Sequence, residues 1–317
     1  MKVAIAGVWH VHAKEYTETA KKFGEVIGVY DRDPVFAENF AKECNLPVFD
    51  TFENLLESDA EGVIVCSASS DHADMMVAIA NRGKHIFTEK VLALTVEDCL
   101  RVKEAVEKNG VNFVISMPQR CMPGPLTVKA LIDDGKLGQI NYIRFRNCHN
   151  GSSAHWLPAH FYNEKETGGG AMIDLGAHGM YLIDWLLGEP ETYSSTFTHV
   201  CRDEKDAVLN PSKLEDNAVT VMSYPDGAIA VNETGFVSSG SPMTLEVGGS
   251  LGYVHFDGKV ILNASSTGFR PTEIPMEAGK DLPIVQFMKG ISPSDCSIND
   301  AIALTRMMVG AYSAIVR

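Results

Sequence analysis

Five short apolar runs, at residues 3–6, 25–30, 62–66, 85–88 and 112–116, alternate with amphipathic stretches near 12–22, 34–44, 71–82 and 95–109. This rhythm constrains the fold more than any other feature of the chain. Repeated strand–helix alternation predicts a parallel sheet with helices on both faces. After residue 116 the rhythm changes. One helix is predicted over 125–138, closed by a glycine, and strand-like runs follow at 141–147, 218–224, 228–236, 243–247 and 253–256. Turns such as Pro225-Asp226-Gly227 separate them, and strands joined by short turns pair antiparallel. A helical pattern at 168–187 interrupts these strands. A last helix is expected from Ser297 to Val316, with Asp300 completing a capping-box-like pair. The expected fold class is α/β: a parallel domain over 1–118, then an α+β domain with a mostly antiparallel open sheet over 119–317.

Bulk properties agree with two soluble domains. At 317 residues the chain is too long for one ordinary core. It is 45% hydrophobic and 21% charged, which reads as globular. A formal net charge of −14 disfavours nucleic acid and anionic membrane as partners. No apolar run approaches the roughly 18 residues of a membrane span. With a strand read directly after Met1-Lys2, no secretory signal is expected. The seven cysteines are scattered and form no C-x-x-C, so reduced thiols and a cytoplasmic location are expected.

The first apolar run ends in Gly7, where a dinucleotide fold places its phosphate-binding turn. The usual fingerprint there is G-x-G-x-x-G. Trp9 and His12 occupy the second and third glycine positions. Two readings stay open. Gly7, Trp9, His10 and Val11 form a modified cofactor loop, or they form a structural turn that binds no nucleotide. The free N–H groups of the following helix favour a phosphate in either case. Asp31 ends the second run, placed to accept hydrogen bonds from the adenosine ribose hydroxyls, which favours NAD. Arg32 beside it could hold a 2′-phosphate, so NADP stays possible. A solvated Asp31-Arg32-Asp33 loop is the plainer alternative.

Three further stretches carry chemistry. Ser67 and Ala68 follow the third run, and His72 reads as a helix-start residue that fixes the turn. Glu89-Lys90 ends the fourth run, where side chains of a parallel strand point toward ligand. Farther on, a glycine run at 167–170 leads to Asp174 and His178, spaced i and i+4 so as to share a helix face. Such an aspartate can orient an imidazole for general base work, or merely form an internal pair. His149, His155, His160 and His178 match no compact zinc spacing, so no metal is expected. Residues 154–162 interleave His155 and His160 with Trp156 and Tyr162, a composition suited to packing against a sugar.

Together these features resemble the glucose–fructose oxidoreductase / inositol dehydrogenase family, Gfo/Idh/MocA, over essentially the whole chain. Glu89-Lys90 is similar to its Glu-Lys-Pro motif, and Asp174 with His178 to its D-x-x-x-H pair. "DRDPVFAENFAKECNLPVFDTFENLL" resembles its second βα unit, and "SASSDHADMMVAIANRGKHIFTEK" the segment leading to its lysine. "QRCMPGPLTVKALIDDGKLGQI" resembles the crossover after the last Rossmann strand, with Arg120 on a common arginine. "LEDNAVTVMSYPDGAIAVNETGFV" resembles paired strands of its second domain.

The resemblance implies a Rossmann domain and an NAD(P)-dependent oxidoreductase acting on a hydroxyl of a sugar, polyol or related compound. It implies a cofactor site of Gly7, Trp9, His10, Val11, Asp31, Arg32, Ser67, Ala68, His72, Glu89, Lys90 and Arg120. His155, Trp156, His160 and Tyr162 would contact substrate. Lys90, Asp174 and His178 would meet in one crevice, with His178 as base, Lys90 stabilising the alkoxide and Asp174 orienting both hydroxyl and ring. A homodimer or homotetramer through the second domain's sheet is also implied. An NAD-dependent glycoside hydrolase and a non-catalytic NAD-binding sensor share these features. The chain departs from the pattern at Trp9, at His12, and at Val91, which stands for the motif's proline. Lys90, Asp174 and His178 all persist, which favours an active enzyme.

Overall fold

The computed structural model describes residues 1–240 and 243–316. It divides into two compact units. The first comprises Met1–Met117 and Asp281–Thr305, the second Pro118–Lys280 and Arg306–Arg317. The boundary near residue 117 is where the change of rhythm places it. The return of 281–305 to the first unit is a correction to the expected second domain of 119–317.

In the first unit, strands β1 (Lys2–Ala6), β2 (Glu25–Tyr30), β3 (Gly62–Val65), β4 (His85–Thr88) and β5 (Phe113–Ile115) form one parallel sheet. Their order is β2-β1-β3-β4-β5. Helices α1 (Ala13–Phe23), α2 (Pro34–Cys44), α3 (Phe52–Glu57), α4 (His72–Asn81) and α5 (Val96–Asn109) connect them. The chain reverses direction across the sheet at β1/β3, the place where open α/β sheets bind ligands. Local chemistry fixes the helix ends. Asp33 caps α2 through Val35 N with Pro34 opening the helix, and Thr95 caps α5 through Asp98 N. Val3, Ile5, Val63, Ile64, Ile86 and Phe87 are completely buried, as a sheet covered on both faces requires.

In the second unit, α6 (Pro123–Asp133) leads to an eight-stranded sheet. Its strands are β6 (Ile140–Cys148), β7 (Thr192–Thr198), β8 (Asn217–Ser223), β9 (Ile229–Gly235), β10 (Thr244–Gly249), β11 (Gly252–Phe256), β12 (Val260–Ala264) and β13 (Thr272–Ile274). The order is β13-β12-β11-β10-β6-β9-β8-β7. All pairs are antiparallel except β6 with β9. Between β6 and β7 lie α7 (Glu164–Thr167), α8 (Ala171–Asp174) and α9 (Gly176–Leu187), and between β7 and β8 lies α10 (Glu204–Leu209).

Helix α9 packs on β6 and β9. Gly179 permits this approach, since a Cβ there would stand 2.0 Å from Asn232 Oδ1. The opposite sheet face carries Tyr142, Arg144, Glu233 and Glu246, with Val221, Ile229 and Tyr253 exposed. The closing elements are α11 (Pro283–Met288) and α12 (Ile298–Ser313). Ser297 N donates to Asp300 Oδ2 at 2.8 Å and Asp300 N to Ser297 Oγ at 3.4 Å, the reciprocal pair expected from the sequence. The pattern read as one helix over 168–187 is broken by the Asp174–Gly176 turn into α8 and α9. None of the seven cysteines forms a disulfide. No described helix is long and apolar enough to cross a membrane.

Candidate functional site

The turn after β1 is built around Gly7. Its φ is +84°, and a Cβ would stand 2.4 Å from both Ser67 Cα and Ser67 N. Any side chain would therefore clash with the backbone of the neighbouring loop, so this one fingerprint glycine is required. His10 N donates to Cys66 O at 3.0 Å and pins the turn to the end of β3. Ser67 is buried, and its Oγ has no hydrogen-bond partner among the described residues. A buried hydroxyl without a partner points to a ligand atom that completes it.

Asp31 closes the other side. Its Oδ2 accepts from Val8 N at 2.7 Å and its Oδ1 from Asp33 N at 2.8 Å. Arg32 is engaged with Asp71 at 2.8 Å. The cradle around Gly7, the Ser67 hydroxyl and the Asp31 carboxylate fit a dinucleotide cofactor. Trp9 is half-buried with its ring centroid 6.2 Å from that of His10, and Val11 is exposed.

His12 fills the third glycine position in an unexpected way. It caps α1 in sequence, but its ring turns to the buried Glu89, with Nδ1 2.6 Å from Oε1. Tyr16 donates its hydroxyl hydrogen to the same oxygen and lies 2.7 Å from Ser116 Oγ. Glu89 Oε2 accepts from Lys90 N at 2.7 Å. His10 Nδ1 stands 3.7 Å from Glu89 Oε1. Burial alone pushes the Glu89 carboxyl up. The charge of His10, the hydrogen bond and charge of His12 and the charge of Lys90 together outweigh it and hold the group well below the usual carboxylate range. The donor atoms of His10, His12 and Glu89 lie within 4.8 Å of one another, a spacing that metal ligands also have. With His12 and Tyr16 both on Oε1, the cluster reads as a hydrogen-bonded hub.

This hub was legible only in part. Glu89 and Lys90 follow from their place at a strand end, whereas His12, Tyr16 and Ser116 carry no sequence signal. Lys90 is buried, and the Lys90–Val91 peptide bond is cis. Ala68 is buried as well. His72 lies fully inside, with Nδ1 2.9 Å from Val91 O and Nε2 3.1 Å from Ser67 O. Burial pushes its imidazole down, and the two carbonyls pull it part of the way back. Through these two carbonyls it ties two loops together.

In the second unit, Glu215 organises the segment that bears Asp174. Its Oε1 accepts from Gly170 N at 2.9 Å, Met172 N at 3.1 Å and Tyr312 Oη at 2.6 Å. These amides are the open donors of the α8 start. His178 is buried at the first turn of α9, and its Nδ1 lies 2.9 Å from Tyr181 Oη. The Asp174 charge is felt by His149, whose imidazole burial pushes down and Asp174 pulls up. His149 stacks on Phe236 at 4.8 Å and packs against Trp156 at 4.6 Å.

Other expected contacts fall elsewhere. Arg120 is fully buried, its Nη2 donating to Tyr181 O at 2.6 Å and lying 3.3 Å from Asp184 Oδ2. It braces α9. Tyr162 is buried with its hydroxyl 2.7 Å from Ser152 Oγ, and His155 turns to Asp203 at 3.1 Å. Of the expected aromatic surface over 154–162, Trp156 is exposed and His160 half-buried.

A five-stranded parallel sheet with a glycine turn at its switch point and an acidic residue ending β2 defines a dinucleotide-binding oxidoreductase fold. The chain belongs to the GFO/IDH/MocA oxidoreductases. The model of their NAD-binding Rossmann fold matches residues 1–117, and that of their C-terminal domain matches 126–255. The rhizopine catabolism protein MocA of Rhizobium meliloti is 28% identical over 62% of this chain and 63% of its own. The NAD(+)-dependent scyllo-inositol 2-dehydrogenase of Bacillus subtilis is 27% identical over 82% of this chain and 75% of its own. The chain thus spans under two thirds of the first relative's length and three quarters of the second's. In fold it is similar to a levoglucosan dehydrogenase solved with NADH and levoglucosan. The TM-score is 0.84 at 18% identity, covering 99% of this chain and 96% of that one.

Proposed function

We propose that this protein is an NAD-dependent dehydrogenase that oxidises a secondary hydroxyl of a polyol or sugar, or reduces the corresponding carbonyl. The observation that carries the reading is the cradle of Gly7, the unpartnered Ser67 hydroxyl and Asp31 at the switch point of the parallel sheet. Bound there, a nicotinamide dinucleotide supplies the hydride acceptor. Arg32, already paired with Asp71, favours NAD over NADP. Lys90 and His178 handle the proton and the charge at the substrate oxygen, and Asp174 holds the substrate hydroxyl. Trp156 and His160 offer contacts to the substrate ring. The inositol and levoglucosan dehydrogenases among the relatives support a cyclic polyol or anhydrosugar as substrate class. A cytoplasmic location suits such a cofactor, and the exposed sheet face with Val221, Ile229 and Tyr253 suits a homo-oligomer.

The test is a panel of inositols, anhydrosugars and aldoses with NAD and with NADP, followed at the absorbance band of the reduced nicotinamide. Reduction of NAD by a polyol is the expected result. Glycoside cleavage with NAD returned unchanged, or NAD binding with no turnover on any compound, would overturn it. Sedimentation velocity reads the assembly state.

A further inference from the structure

His178 handles the substrate oxygen through one ring nitrogen, and what the other nitrogen touches decides how. That other nitrogen, Nδ1, lies 2.9 Å from Tyr181 Oη. The same phenolic oxygen accepts from Gln119 N at 3.2 Å. A backbone N–H can only donate, so Gln119 takes an acceptor position of Oη. The hydroxyl hydrogen of Tyr181 stays available to donate to Nδ1. Tyr181 is fully buried, and its own carbonyl accepts from Arg120 Nε at 3.2 Å and Nη2 at 2.6 Å. The Arg120 guanidinium also lies 5.7 Å from the Tyr181 ring centroid. Ring, hydroxyl and carbonyl of Tyr181 are therefore all held.

We infer that Tyr181 is a positioning residue for this site: its O–H donates to Nδ1 of His178 and fixes the neutral imidazole with its hydrogen on Nε2. The inference rests on the proposed oxidoreductase reading. It changes the role of His178 within it. An imidazole whose Nε2 already carries hydrogen cannot accept the hydroxyl proton at Nε2. It donates a hydrogen bond to the substrate oxygen instead and stabilises the charge that grows there. A nicotinamide dinucleotide bound in the Gly7 cradle would supply the hydride acceptor; the hydroxyl proton would then pass to Lys90 after its ammonium has given one proton to solvent, which restores the ammonium. In reduction both transfers reverse.

The experiment is long-range 1H–15N NMR of the enzyme labelled with 15N-histidine, with His178→Asn identifying the resonance. In the wild type at a pH where the ring is neutral, the His178 shifts should be those of an Nε2–H imidazole. In Tyr181→Phe, which keeps the ring and removes only the hydroxyl, that preference should be lost. Its kcat on a polyol found in the panel should fall by about 10-fold or more while KM for NAD holds, a smaller loss than removing a whole stabilising donor. Wild-type shifts of an Nδ1–H imidazole overturn the inference, and this measurement does not depend on the variant folding. Unchanged shifts in Tyr181→Phe overturn it too. If His178→Asn turns over the polyol at the wild-type rate, the functional reading falls instead. The tautomer then stands as a structural fact without that role.

Discussion

His12 Nδ1 stands 2.6 Å from Glu89 Oε1 across 77 positions of chain. The residue in the third glycine position is therefore a strut between the first turn and the end of β4. Breaking a buried charged pair from one side costs about 3 kcal/mol. Glu89→Gln should lower stability to denaturant by that order at neutral pH. Because the folded-state carboxyl is held well below its unfolded value of about 4.3, its stabilisation is complete above that pH. It is lost as pH falls from there through the folded value. Urea titrations at pH 7 and at about pH 3 should show this acid-dependent loss in the wild type and less of it in Glu89→Gln. Equal loss in both would contradict the assignment.

Gly7→Ala tests the turn. The new Cβ meets Ser67 Cα and N at 2.4 Å and sits at φ +84°. Left-handed strain and backbone overlap together should cost roughly 2–4 kcal/mol. NAD binding by calorimetry should disappear in whatever fraction remains folded. A variant that binds NAD as the wild type does would show the cradle to be misplaced.

Asp31→Ala should weaken NAD by about 10-fold, the scale of losing hydrogen bonds to a charged group. NADP should weaken less, because the carboxylate that repels a 2′-phosphate is gone. Fluorescence titration with both cofactors reads the ratio. A wild-type preference for NADP would show that Arg32 leaves Asp71 for the cofactor.

Lys90→Ala should lower kcat by roughly 100-fold or more, the scale of losing a group that moves the proton at the substrate oxygen, and change NAD affinity far less. His178→Ala should lose a similar factor. Steady-state kinetics on the polyol found in the panel decides. Two variants at wild-type rate would remove this pair from the chemistry.

Arg120→Met separates brace from ligand contact. The guanidinium is buried against the Tyr181 carbonyl and Asp184, so about 2 kcal/mol of stability should go. NAD affinity should stay at the wild-type level. A selective loss of NAD affinity with stability intact would restore the cofactor role.

The sheet of the first unit was legible because its strands are apolar throughout and lie between amphipathic helices. Strand β7 was not, because its sequence TYSSTFT presents serines and threonines to both faces and buries only Ser195. The site divides the same way. Gly7, Asp31 and Lys90 are marked by position at strand ends. Tyr16, Ser116 and Tyr181 are not, since each acts through a partner that only folding brings near. The burial of Arg120 was not legible either, because a guanidinium is almost never fully interior and nothing in its neighbours announces the carbonyl it serves.

The return of residues 281–305 to the first unit has a consequence for synthesis. Phe287 packs 5.8 Å from Phe87, Met288 lies against Gly24, and Cys296 O accepts from Ile115 N at 3.0 Å. The parallel sheet is translated before these covering groups, with the whole of residues 118–280 in between. While residues 118–280 are being made, the nascent chain carries the core side chain of Phe87 without the Phe287 that packs against it, the kind of exposed surface that chaperones hold.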